Sequence, residues 1–160
     1  MDFVYAWRRL ANPANQYSCA AFYMDMIQGY DEAVAEEDYT KMAVSAADEH
    51  TLVVLLKGRC NYFLTDTCTS AATMPLRSDQ ADGWTTDADK LVTNGAYRLT
   101  EWKNGQSMTL TKSDTYYNQD QVGPGQILFC RYSSAEQAWE EYQVKKIDFV
   151  LDLPNSVLKD

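Results

Sequence analysis

The chain has 160 residues, a hydrophobic fraction of 46%, an aromatic fraction of 12% and a formal net charge of -9. That is long and apolar enough for one ordinary domain with a sizeable core, and too apolar for a disordered chain. The acidic balance argues against a nucleic-acid partner, since phosphate binding needs clustered Lys and Arg, and the pairs Arg8-Arg9 and Lys145-Lys146 are short and scattered. No stretch approaches the roughly 18 apolar residues of a membrane span. No signal peptide is visible, and Met1 runs directly into a helical pattern, as expected of a piece cut from a longer protein.

In chain order, Phe3, Ala6, Trp7 and Leu10 share one helical face over residues 2–10, and Asn12-Pro13 ends that helix. A second helix is expected over residues 18–28, with Ala20, Tyr23, Met24 and Ile27 inward and Gly29 as its stop. Residues 31–38 are acidic and Ala-rich, a short helix or an exposed loop. A hairpin follows, with strands at 42–47 and 51–56 around Asp48-Glu49-His50. The apolar run Leu52-Val53-Val54-Leu55-Leu56 suits a strand covered on both faces. Tyr62-Phe63-Leu64 begins a short helix, Thr73-Met74-Pro75-Leu76 is extended, and residues 77–90 read as a polar loop anchored by Trp84.

A second hairpin pairs residues 96–102 with 107–112. Tyr97 and Leu99 share a face opposite Arg98 and Thr100, Met108 and Leu110 face one way on the return strand, and Asn104-Gly105 suits a type I′ turn. Residues 126–132 form a strand. Ser133-Ser134-Ala135-Glu136 reads as a capping box opening a helix with Ala135, Ala138, Trp139 and Tyr142 on one face. Residues 147–151 are expected as a final strand leading to Pro154. Short helices alternating with hairpins place the chain in a mixed α/β (α+β) class.

Chemistry is sparse. Residues Cys19, Cys60, Cys68 and Cys130 allow three pairings; Cys60 with Cys68, close in sequence, is favoured, and the alternative of four buried thiols stays open. There is no C-x-x-C, and His50, the only histidine, falls in a hairpin turn, so neither zinc nor a histidine base is expected. Glu36-Glu37-Asp38 reads as a solvated face, lacking calcium-loop spacing. Phosphate-loop, nucleophile-elbow and metalloprotease motifs are missing. Of eleven tyrosines, Tyr17, Tyr23, Tyr30, Tyr116, Tyr117, Tyr132 and Tyr142 are candidates to line a ligand cleft, with packing as the competing role.

The order of four segments resembles the family 5 extracellular solute-binding proteins, the oligopeptide- and dipeptide-binding components of ABC transporters. These segments are residues 2–13 (DFVYAWRRLANP), 47–55 (ADEHTLVVL), 93–102 (TNGAYRLTEW), and Lys146-Ile147-Asp148 followed by Leu153-Pro154. Two departures stand out. Tyr116-Tyr117-Asn118 replaces a Tyr-Trp-Asp step, and Lys145-Lys146 stands where the family often has Gly before the Ile-Asp strand. A left-handed helix end costs about 1 kcal/mol without Gly, so that helix is expected to end differently.

The resemblance implies a piece of a periplasmic-binding-protein-like class II lobe, a mixed β-sheet with hairpins and flanking helices. Residues 1–73 would be the later part of the small N-terminal subdomain, and residues 74–160 part of the first ligand-binding lobe. It implies an extracytoplasmic, non-catalytic protein, periplasmic or lipid-anchored at the cell surface, that uses no cofactor. Such a protein closes on an extended peptide like a hinge and delivers it to ABC permease subunits. The isolated piece is expected to be monomeric and to bind peptide weakly or not at all. Tyr17, Leu151 and Asp152 are the ligand contacts the resemblance implies. The same scaffold with another cargo (a nickel complex, haem or a sugar), or a surface sensor or adhesion module, is the alternative.

Overall fold

The computed structural model describes residues 1–80 and 84–158. The chain divides into two compact units, 1–80 and 81–160.

The first unit is built on α1 (Asp2–Ala11). Val4, Ala6, Trp7, Leu10 and Ala11 are buried, whereas Phe3, expected on the inner face, is exposed and meets the Trp7 ring edge-on at 6.4 Å. Asp2 in the first turn and Arg8 and Arg9 in the last complement the helix dipole. Asn12 is extended, as the following proline requires, and its Oδ1 accepts from the Ala14 N–H to open the short 3-10 helix Pro13–Asn15. Trp7 is 2% exposed, and its indole N–H donates to the Thr73 carbonyl at 2.8 Å. This bond ties the 3-10 turn Ala71–Thr73 to α1 across 66 residues of chain.

The second helix is shorter than its periodicity predicts: α2 covers Ala20–Met24. The missing turn is claimed by tertiary bonding. Ile27 bridges Leu56, the Gln28 N–H donates to the Leu55 carbonyl, and the Lys57 N–H donates to the Met26 carbonyl. Backbone groups that would have extended the helix pair with the hairpin instead, and Met24 and Ile27 still fill the core. Gly29 sits at φ +81 and caps the start of α3 (Tyr30–Ala35) rather than the end of a long helix. A Cβ there would collide with the Lys41 carbonyl oxygen, so both conformation and space demand glycine. The acidic run is absorbed structurally: Glu36 pairs with Lys41, and the Asp38 carboxylate accepts from the Thr40 N–H and hydroxyl.

β1 (Val44–Ala46) and β2 (Leu52–Val54) form the first hairpin, antiparallel, with Val44 opposite Val54. The Asp48 carboxylate accepts from the His50 N–H in its turn. Double coverage of residues 52–56 does not occur. Val54 and Leu56 pack on the core, while Val53 and Leu55 face outward, Leu55 at 54% exposure. A two-stranded ladder has one face on α1 and nothing described over the other. The Cys60–Cys68 pairing expected from the sequence is not formed, and all four cysteines are free thiols. The Cys60 sulfur rests 3.7 Å from the Met26 sulfur, and Cys68 packs against the core, where burial raises its thiol pKa.

The second unit centres on an antiparallel sheet in the order β3 (Tyr97–Lys103), β4 (Ser107–Lys112), β5 (Gln126–Cys130). Leu99 pairs with Leu110 and Trp102 with Met108, although 99 and 102 are an odd number apart. A bulge at Thr100 absorbs the extra residue and returns Trp102 to the face of Leu99. The turn is not type I′. Gly105 is at φ +71, Asn104 stays at negative φ, and the Gln106 N–H donates to the Lys103 carbonyl at 2.9 Å, the pattern of a type II turn. β5 ends two residues earlier than expected. Residues 77–90 contain 3-10 turns at Trp84–Thr86 and Ala88–Lys90; 81–83 lie outside the described residues.

α4 (Ala135–Gln143) is capped one residue later than the sequence suggests. Ser134 Oγ accepts from the Gln137 N–H, and Gln137 Oε1 accepts from Ser133. Its end also departs from expectation: Lys145 adopts φ +59. The Lys146 N–H donates to the Glu141 carbonyl and the Lys145 N–H to the Tyr142 carbonyl, a complete Schellman motif with lysine at the left-handed position. Residues 147–151 form no strand, because no strand among the described residues lies beside them. Pro154 is buried, while Phe149 and Leu151 are mostly exposed. Among the described residues, the fully buried apolar core lies in the first unit.

Candidate ligand-contact sites

Tyr17 lies in the turn between the 3-10 helix Pro13–Asn15 and α2. Gln16 before it takes a left-handed conformation at φ +57, which turns the chain back toward α1. The Arg9 guanidinium stands 5.2 Å from the centre of the Tyr17 ring, and Arg9 Nη1 donates to the Tyr17 hydroxyl oxygen. Asn15 Nδ2 donates to the Arg9 carbonyl at 2.8 Å and fixes the turn against the helix end. Because Tyr17 OH accepts from arginine, its own proton stays available to an outside acceptor. The ring is 38% exposed. A tyrosine hydroxyl proton beside a guanidinium suits a carboxylate or carbonyl oxygen. The Tyr17 aromatic was legible in the sequence; its partner Arg9, eight residues away across a proline turn, was not.

Leu151 and Asp152 lie in the second unit, on the bent, irregular stretch before Pro154. Leu151 is 75% exposed and Asp152 is also exposed. The backbone of residues 147–153 makes no hydrogen bond to any described residue, so its N–H and C=O groups are free for main-chain pairing. Tyr17 belongs to one unit and Leu151 and Asp152 to the other.

Tyr23 packs edge-on against Phe22 at 4.9 Å, and Tyr142 stacks on Trp139 at 5.4 Å. Tyr30 lies 5.9 Å from the Lys57 ammonium, its phenol pKa raised by burial and then by Asp25 and Asp31. Burial likewise raises that of Tyr132, and Tyr116 leans against Tyr117, which is 89% exposed. An open depression lined by Asp87, Asp89, Lys90, Thr100, Glu101 and Trp102 was not anticipated, because the bulge at Thr100 that shapes it leaves no signal in the alternation of β3. Among the described residues, no three His, Cys, Asp or Glu side chains are grouped to hold a metal, and no helix is long and apolar enough to cross a membrane.

The whole chain, residues 1–160, matches the middle part of the bacterial extracellular solute-binding proteins, family 5. It is 31% identical over 153 residues to the dipeptide-binding protein DppE of Bacillus subtilis, covering 92% of this chain and 27% of that protein. It is 32% identical over 153 residues to the periplasmic oligopeptide-binding protein OppA of Escherichia coli, covering 92% of this chain and 28% of that protein. The fold superposes on the substrate-binding domain of an oligopeptide ABC transporter from Bacillus anthracis with a TM-score of 0.88 at 29% identity, over 99% of this chain and 31% of that structure. The chain thus spans under a third of each relative's length. With the family match running from end to end and the same arrangement of helices and hairpins in a solved relative, the chain belongs to family 5 of the bacterial extracellular solute-binding proteins.

Proposed function

We propose that this chain is part of an extracytoplasmic receptor that captures oligopeptides and hands them to the permease subunits of an ABC importer, with no chemistry performed on the cargo. The observation that carries this reading is the similarity, over nearly all of the chain, to proteins named for dipeptide and oligopeptide binding. The exposed Tyr17–Arg9 pair supports it as a polar contact for a peptide carboxylate or carbonyl. The unpaired main chain around Leu151 and Asp152 supports it as a source of backbone donors and acceptors for a peptide. Residues 1–73 belong, on this reading, to a small N-terminal subdomain and residues 74–160 to the first lobe of the receptor.

Calorimetric titration of a defined tri- to pentapeptide mixture into the protein as its gene encodes it tests the proposal. Saturable binding is expected, and Tyr17→Phe is expected to weaken it by the value of one hydrogen bond, about 0.5–1.5 kcal/mol. Unchanged affinity in Tyr17→Phe would reduce Tyr17 to a packing residue. No binding of any peptide would overturn the cargo assignment.

A further inference from the structure

The chain carries two Asn-Gly steps, Asn94-Gly95 and Asn104-Gly105. Both asparagines are exposed, but their surroundings differ. The Gly95 N–H donates to Thr93 Oγ1 at 3.1 Å, and Gly95 is half-buried. Gly105 is exposed at the tip of the β3–β4 turn, and its N–H has no acceptor among the described residues. A Cβ placed on Gly105 would lie 3.9 Å from Arg131 Nη1, so the guanidinium stands over the turn, and no described residue pairs with it. We infer that Asn104 is a site of spontaneous deamidation, promoted by the Arg131 cation, and that Asn94 is protected.

The chemistry follows from these positions. The Gly105 backbone nitrogen loses its proton to water and attacks Asn104 Cγ, forming the N–Cγ bond of a five-membered ring. The anionic tetrahedral intermediate collapses as the Cγ–Nδ2 bond breaks, and the side-chain nitrogen leaves as ammonia with a proton from water. Water then opens the resulting succinimide at either carbonyl, giving aspartate or isoaspartate. The net change is amide plus water to acid plus ammonia, with no redox step. Arg131 acts on the charged intermediates: a fixed cation beside a developing anion lowers its energy. At Asn94-Gly95, the bond to Thr93 must break before the nitrogen can be deprotonated. The product adds a negative charge beside Arg131, and the isoaspartate form inserts one methylene into the turn, where β3 and β4 set their register.

Peptide mapping by mass spectrometry, during incubation at physiological pH and temperature, follows both sites in the same sample. Deamidation at Asn104 is expected to run severalfold faster than at Asn94. Arg131→Gln should slow Asn104 severalfold and leave Asn94 unchanged, with circular dichroism confirming an intact fold. Thr93→Val, which frees the Gly95 N–H, should speed Asn94 alone. Equal rates at the two sites, a faster rate at Asn94, or an Asn104 rate indifferent to Arg131→Gln would overturn the inference.

Discussion

The end of α4 offers a direct test of how local backbone strain is held in this fold. Lys145 takes φ +59 in a Schellman motif whose two hydrogen bonds, Lys146 N–H to Glu141 and Lys145 N–H to Tyr142, are both made. A left-handed conformation costs an L-residue about 1–2 kcal/mol. Glycine escapes that cost but loses about 0.5–1 kcal/mol more in chain entropy on folding. Lys145→Gly also removes a positive charge near the helix C-terminus, which confounds comparison with the parent. The informative pair is therefore Lys145→Gly against Lys145→Ala, since both lack the charge and only alanine keeps the strain. Glycine should be the more stable by about 1 kcal/mol. For a unit of this size that difference corresponds to a midpoint shift of about 4–8 °C. Thermal unfolding followed by circular dichroism, with urea midpoints as a second measure, reads it out. Equal stability, or a more stable alanine variant, would show that the motif's hydrogen bonds do not hold Lys145 in the left-handed region.

The core of the first unit yields further expectations. Trp7→Phe deletes the indole N–H and orphans the buried Thr73 carbonyl, which should cost about 1–3 kcal/mol before any repacking loss, measured as a fall in urea midpoint. Gly29→Ala forces a Cβ into the Lys41 carbonyl at a left-handed position and should cost more than about 2 kcal/mol; a neutral result would contradict the close approach. Asp38 has a depressed carboxyl pKa, chiefly from the Thr40 hydroxyl and then the Thr40 N–H. Its stabilisation is present above the ordinary carboxylate range and is lost as pH falls through the lower folded value. Asp38→Asn should therefore be less stable than the parent at neutral pH, with the gap closing in acid; a pH-independent gap would remove Asp38 as the source.

Much of this fold could be read from residue order because the signals were local. The α1 face, the Asn12-Pro13 stop, both hairpins and α4 follow from periodicity and turn residues. What could not be read depends on distant partners. Residues 25–28 keep a helical pattern but give their backbone groups to the Ala43 and Leu55 region. The box at Ser133 shifted because Ser134 and Gln137 satisfy the helix start as well as Ser133 and Glu136 would, and composition does not rank them. Residues 147–151 have strand composition but no neighbouring strand among the described residues, and strand propensity alone forms no sheet. At the candidate site the type of residue was legible and its setting was not. Tyr17 was visible as an exposed-type aromatic, but its pairing with Arg9 depends on the left-handed turn at Gln16, which no glycine announces.

The claim on which the account rests is that the protein holds peptide and returns it unchanged. Native mass spectrometry of the protein as its gene encodes it, incubated with a defined peptide mixture and then denatured to release the cargo, tests both halves at once. A peptide-bound mass in the native spectrum and intact peptides on release are the expected result. Cleaved or otherwise altered peptides, or a protein that binds none of them, would contradict it.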